Sequence, residues 1–201
     1  LPVSEVSEEQ KTIAEAKARF FRGFAYRTLA YLYGGVPLLL TEVVEPKFDY
    51  VRASKEEVLK QALTDVEFAA AHLPSLSSVQ DGEVSNAAAY HLLSELYLAT
   101  AQYQKAVDAA TTVIDDPATG LMYTRFGSRA NEVPGDVYWD LFRKNNQNRG
   151  SGNTEGIWVI QIETDTPGGS GSLTAKDQTY TLERHHAPMV RDVKAHGMNP
   201  F

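Results

Sequence analysis

Two acidic doublets, Glu8-Glu9 and Asp115-Asp116, are the first groups in the chain whose type and spacing invite a chemical reading. Glycoside hydrolysis needs two carboxyl groups facing one another across a bond, about 5–9 Å apart. Neighbours in sequence do not meet that need. Glu8-Glu9 falls in the first turn of a predicted helix and Asp115-Asp116 at the end of another, so both read as capping or solvated groups. His185-His186 with His196 offers imidazoles to a metal, but the spacing matches no established ligand pattern, and adjacent side chains diverge. They read as part of a polar tail. His72 and His91 fall inside predicted helices and are expected as structural histidines. No serine stands in a G-x-S-x-G context. The segment "PGGSGS", 167–172, follows no strand into a helix and reads as a flexible loop rather than a phosphate cradle. The chain has no cysteine, which removes disulfides, thiolate metal sites and a cysteine nucleophile. No enzymatic activity, metal or cofactor is expected.

The aromatic residues carry more signal. Tyr138 and Trp139 lie in a loop-rich stretch beside Arg143, Asn145, Asn146, Gln147 and Asn148. A flat ring can lie against the apolar face of a pyranose, while amide and guanidinium groups reach the hydroxyls. Trp139, Tyr138, Asn146, Gln147 and Arg143 are therefore the candidate ligand-binding residues. The competing reading is packing: Trp139, Leu141 and Phe142 would anchor the loop on the helices. Aromatic residues are mostly buried, so that reading is weighed first. Trp158, inside an apolar run, is expected in the core. Tyr50 and Arg52 are weaker ligand candidates in a connection. Phe20, Phe24 and Tyr31 are expected to pack between helices.

The elements that must position these residues are helical. Ser7 and Gln10 stand at the two positions of a capping box, and a helix is predicted from there to about Tyr33. Ile13, Phe20, Phe24 and Tyr31 recur near the helical period, with Ala16 and Leu32 beside them. Gly34-Gly35 is expected as a left-handed C-cap, and Pro37 stops the helix from resuming. Leu38 to Leu40 is too short for another helix and is expected as an extended segment across packed helices. Ser54 and Glu57 form a second capping box before Val58, Leu59, Ala62, Leu63, Val66 and Ala70, with a stop near Leu73-Pro74. Ser85 caps a third helix to about residue 101, and a fourth runs from about 103 to 114. Tyr90, Leu93, Ser94 and Tyr97, then Ala106, Ala110 and Val113, follow the offsets of a tetratricopeptide helix pair, with Ala110 and Val113 departing from its sizes. The first helix and the Lys55–Leu73 helix are expected as a similar pair across a long connection. After Pro117 the character changes, and "GIWVIQIE", 156–163, is expected as a strand.

The totals agree with one mostly α domain of helix pairs with long irregular loops and minor β. It comprises a helical scaffold at 8–116 and a loop-rich region at 117–201. Of 201 residues, 43% are hydrophobic, enough for a core. The net charge of −7 argues against nucleic acid, since nothing would neutralise a phosphate backbone. The chain opens on Leu1-Pro2 and closes on Pro200-Phe201, and is expected to be part of a longer protein.

The stretch "EAKARFFRGFAYRTLAYLYGGVPLL" resembles the signature region of the SusD/RagB family. Glu15, Ala16, Arg22, Gly23, Tyr26 and Leu29 lead into the Tyr33-Gly34-Gly35-Val36-Pro37-Leu38 turn, with Gly35 in place of the commoner acidic residue. Arg52-Ala53-Ser54 with Glu57, Val58 and Asp65 resembles the next helix and its cap. "GEVSNAAAYHLLSELYLATAQYQKAVDAATTVID" is similar to the family's helix pair, and "DLFRKNNQNRGSGNTEGIWVIQIE" to its Asn-rich turn and following strand. The resemblance covers about residues 11–165. It implies a cell-surface lipoprotein of the outer membrane of Bacteroidetes that captures a glycan, or a peptide in the RagB branch. Such a protein acts as the lid of a TonB-dependent transporter resembling SusC. The lipid anchor would lie outside this chain, which has no cysteine. The alternative from the helix-pair spacing alone is a tetratricopeptide scaffold that binds a protein partner.

The cap assignment is open to a direct test. If Gly34 adopts positive φ, Gly34→Val destabilises the chain by about 1–3 kcal/mol, because a β-branched residue resists that conformation. An unchanged urea midpoint would remove the cap.

Overall fold

A computed structural model of the chain describes residues 6–161. The account below concerns the compact unit that ends at Val159. The glycine-rich segment 167–172, the histidines at 185, 186 and 196, and the end of the expected strand lie outside the described residues.

Among the described residues, four long helices form in order: α1 (Glu8–Tyr33), α2 (Lys55–His72), α3 (Asn86–Ala99) and α4 (Tyr103–Ile114). Each packs on its neighbour in sequence, α1 on α2, α2 on α3 and α3 on α4, which is the succession of helix pairs expected. Both capping boxes are present. Ser7 accepts from Gln10 N and Ser54 from Glu57 N, and each partner side chain returns to the cap backbone. Ser85 accepts from Ala88 N at the start of α3.

The α2 apolar face is buried as expected, from Val58 to Ala70, and Asp65 is buried with it. The α1 face is rotated from the expected one. Ala16, Phe20, Gly23, Tyr26 and Ala30 are buried, whereas Tyr31 is 40% and Leu32 68% exposed. Gly23 explains the rotation. A Cβ there would come within 2.5 Å of Val66 Cγ2, so the bare backbone of α1 sits against α2. Tyr31 instead lies under the Arg27 guanidinium, 4.9 Å from its ring centroid.

The break after α1 is fixed by backbone needs. Gly34 has φ 72° and ψ −123°, positive φ as expected but outside the left-handed helical well. Gly35 lies so close to the neighbouring backbone that a Cβ would come within 2.0 Å of Ala53 O. Arg52 donates to Gly35 O and Tyr33 O, and Ala53 N to Val36 O. Arg52 therefore holds the turn.

The leucine run is then tied to α1. Tyr26 Oη accepts from Leu39 N at 2.5 Å and donates to Leu39 O at 3.1 Å. Arg22 Nη1 donates to Leu40 O at 3.2 Å. The rest of Arg22 forms a two-pronged pair with Asp65, Nε to Oδ2 at 2.7 Å and Nη2 to Oδ1 at 2.6 Å. One guanidinium thus joins α1, α2 and the extended segment.

No strand forms among the described residues; the end of the expected strand, 162–163, lies outside them. Ile157 and Trp158 pack on the helical core instead. Trp158 meets Phe20, Phe21 and Phe24 edge-on at 5.5–5.9 Å and donates from Nε1 to Gly82 O. Its expected core role holds.

Asp65 is fully buried, so losing its partner should cost far more than losing a surface pair. Arg22→Met is expected to lower stability by about 3 kcal/mol, and the double variant Arg22→Met/Asp65→Leu to recover most of that loss. Urea denaturation checks both; no recovery in the double variant would mean that Arg22 acts mainly through Leu40.

Candidate functional site

The candidate residues lie beyond α4, in 117–153, where regular structure is confined to short pieces. These are a 3₁₀ turn at Gly127–Arg129, the helix α5 (Val137–Leu141) and a second 3₁₀ turn at Arg149–Ser151. Asp136 caps α5 by accepting from Trp139 N at 2.7 Å.

A buried ionic network holds this region together. Asp140 is fully buried. It accepts from Arg125 Nε at 2.5 Å, from Arg125 Nη2 at 3.1 Å and from Phe126 N at 3.1 Å. Arg125 also donates to Glu132 O and Arg129 O. Hydrogen bonds from Arg125 hold the Asp140 carboxyl below its usual range against the opposing effect of burial; the Phe126 N–H and the charges of Arg125 and Arg143 act in the same direction.

Asn146 continues the network. It is fully buried, donates from Nδ2 to Asp140 O and Phe126 O, and accepts at Oδ1 from Ser128 N. Gly127 is required beside it: φ is +75°, and a Cβ would lie 2.1 Å from Asn146 Oδ1. Asn146 was expected to touch a ligand. In the fold described, both ends of its amide face inward and are engaged within the chain.

The other candidates come together around α5. Trp139 is half-buried. The Arg143 guanidinium lies 4.0 Å from its ring centroid and that of Arg125 5.5 Å, so its π-face is used by cations within the chain. Arg143 Nε donates to Trp139 O at 3.2 Å. Tyr138 is 70% and Phe142 67% exposed, and their rings meet edge-to-face at 5.0 Å. Both border a shallow groove of about 600 Å³, with Trp139, Arg143, Pro134 and Asp136 around them. Gln147 is exposed but does not line this groove.

The packing reading therefore fits Trp139 and the half-buried Leu141 but not Phe142. Phe142 is the accessible ring that the sequence reading assigned only as an anchor. Its signal was its spacing of four from Tyr138, which puts both on one side of a helical turn. Arg125 and Asp140 were not singled out, because a pair fifteen residues apart across a loop has no periodic signature.

The remaining chemical candidates stay solvated or structural. Glu8 pairs with Lys11, Asp116 accepts from Ala118 N, and His72 Nδ1 lies 2.8 Å from Phe68 O. His91 is exposed, so its expected structural role is corrected. It borders a second cavity of about 410 Å³ over Phe20, Phe24, Leu92 and Trp158, where Arg27 and Glu95 are already paired. No cluster of three or more potential metal ligands exists among the described residues. No described helix is long and apolar enough to cross a membrane.

The lowered carboxyl sets a pH signature. Stability from Asp140 is complete above its unfolded pKa of about 3.9 and is lost as pH falls through the lower folded value. Asp140→Asn is therefore expected to lower the urea midpoint at neutral pH, and the gap to the parent chain to narrow below about pH 4. A gap independent of pH would show that ionisation of Asp140 contributes nothing.

Residues 1–98 match the family model SusD-like, described as starch-binding and associating with the outer membrane. No curated protein matches the chain. Among solved structures, it is similar to a SusD-like protein from Bacteroides fragilis at 24% identity and a TM-score of 0.65, over 81% of this chain and 30% of that one. A SusD-like carbohydrate-binding protein from the same organism gives 24% and 0.65, over 79% and 28%. A laminarin-binding SusD-like protein gives 27% and 0.54, over 62% and 29%. The chain thus spans 28–30% of the length of these relatives. Residues 1–98 are thus similar to the SusD-like family, and the fold of the chain is that of the SusD-like proteins it matches.

Proposed function

We propose that the chain is part of a glycan-capturing protein at the cell-surface face of the outer membrane, and that it binds an oligosaccharide without transforming it. The observation that carries this reading is the match of residues 1–98 to a family described as starch-binding and associating with the outer membrane. The laminarin-binding relative supports the same ligand class. Within the chain, the groove beside Tyr138 and Phe142 is the contact surface. Two accessible rings on a short helix offer a flat apolar face to a sugar, and the stacked Arg143 offers donors to its oxygens. The ordered network beneath limits the conformational entropy lost when a ligand binds.

In this reading the protein acts as the lid of a TonB-dependent transporter resembling SusC and is held by a lipid anchor outside the chain. The helical scaffold would supply a rigid surface to the transporter, and the loops the ligand contacts. A peptide ligand, as in the RagB branch, and a tetratricopeptide scaffold role are the alternatives.

Isothermal titration of the full chain with neutral and acidic oligosaccharides and with mixed peptides tests the reading. One glycan class is expected to bind, and Tyr138→Ala and Phe142→Ala to weaken it about tenfold each, the equivalent of about 1.4 kcal/mol. Trp139→Ala is expected to weaken binding too, with a loss of stability because its ring carries Arg143. Peptide binding with no glycan binding would overturn the glycan reading.

A further inference from the structure

We propose that the sugar taken at this groove carries a carboxylate, and that Arg143 selects it; the inference rests on the glycan reading above. The first observation is the state of the guanidinium. Arg22, Arg27 and Arg125 each hold a carboxylate, and Arg52 holds two backbone carbonyls. Arg143 is different. Its Nε is committed to Trp139 O, but among the described residues neither Nη atom donates a hydrogen bond and no carboxylate forms an ion pair with it. Asp140, the acidic group whose titration it influences, is occupied by Arg125.

The second observation is orientation. Stacking on Trp139 at 4.0 Å holds the guanidinium plane, and the Nε bond fixes its rotation. A planar fork of two N–H donors held in this way matches a carboxylate in a two-pronged pair. Neutral hydroxyls can use one such donor at a time and gain less from the charge.

The third observation is local charge. The chain as a whole carries −7, yet residues 123–149 hold five basic and three acidic side chains. All three acids are engaged: Asp140 with Arg125, Asp136 with Trp139 N, and Glu132 with Arg129. The exposed Lys144 follows Arg143 directly. A positive excess beside an open groove on an acidic protein favours an anion there over the rest of the surface.

Tyr138 and Phe142 supply the complementary part. They present apolar ring surface on the same groove, which a carboxylate without a sugar ring would leave uncovered. The ligand that uses both features is a uronic acid residue within an oligosaccharide: pyranose face on the aromatic pair, carboxylate on Arg143. A sulfated sugar offers the same charge on a tetrahedral group and is separated from it by test.

The experiment titrates the full chain with oligogalacturonate, oligoguluronate, glucuronoxylan fragments, a sulfated galactan, and neutral laminarin, malto- and xylo-oligosaccharides. A uronate is expected to bind most tightly, with affinity falling as salt rises from about 50 to 500 mM. Arg143→Gln is expected to weaken the uronate at least tenfold, and any neutral glycan by clearly less, since only the uronate loses a two-pronged ionic pair. Arg143→Lys keeps the charge without the fork and is expected to fall between. The salt dependence is read on the unsubstituted chain, so it holds as a test even if substitutions loosen the Trp139 stack. Strongest binding to a neutral glycan, with Arg143→Gln unchanged, would overturn this proposal and leave the glycan reading standing. Preference for the sulfated galactan would overturn the carboxylate assignment. Binding of none of these sugars would remove both.

Discussion

The pair between Arg22 and the fully buried Asp65 is the constraint on which the scaffold depends. A buried carboxylate is costly unless its charge and both oxygens are answered, and here one guanidinium answers all of it. That requirement fixes the rotation of α1 on α2, because only one face of α1 can deliver Arg22 to Asp65. The bare backbone of Gly23 then lies against Val66, and Tyr26 points inward to the Leu39 backbone. The extended segment after the helix break follows from the same group, since the free Nη1 of Arg22 reaches Leu40 O. Hydrophobic burial supplies the larger share of the driving force, but it does not choose among helix rotations that bury similar area. The ionic pair supplies that choice.

The loop-rich region solves a harder problem with the same device. Among the described residues it has few apolar residues in register and no long helix, so they cannot be ordered by a periodic hydrophobic face. Asp140 gathers Arg125 and the Phe126 N–H, Asn146 bridges Phe126 to Asp140 and Ser128, and Asn153 donates to Asn146 O. Each polar group that enters the interior brings a partner from a different part of the loop. Such a network works only when nearly complete, because a single orphaned group in a low-dielectric site costs about as much as several hydrogen bonds return. This makes the loop sensitive to a few residues and tolerant at its rim, where Gln147 and Lys144 are exposed.

The difference between the two regions explains what the sequence could convey. Helix starts were legible because Ser7 with Gln10, and Ser54 with Glu57, act within one turn and leave a local pattern. The burial of α2 was legible from its period. The rotation of α1 was not, because Tyr31 and Phe20 are equally apolar on paper; Gly23 and Arg22 decide between them through contacts with α2 forty residues away. The expected strand, 156–163, runs beyond the described residues, and none of its described residues is in a strand. Its composition fits a strand, and within it Trp158 packs on the helical core. At the candidate site, Tyr138, Trp139 and Arg143 were singled out from composition, and the structure brings them to one groove. The inward role of Asn146 was not, since an amide in an Asn-rich turn carries the same letter whether it faces solvent or bridges a buried carbonyl.

The arrangement at Trp139 joins these two kinds of order. A tryptophan ring on a surface loop is usually either packed away or left open to a ligand. Here its face is covered by the side chain of Arg143, four residues on, and by Arg125, which the buried Asp140 holds in place. The ring thereby becomes a support for a guanidinium at the edge of the groove. The exposed rings of Tyr138 and Phe142 take over the apolar surface. Orientation is therefore transmitted from the buried carboxylate through Arg125 to the ring, and from the ring to the groove. A site built this way would present fixed charge at low entropic cost, with any specificity depending in part on groups that do not touch a ligand.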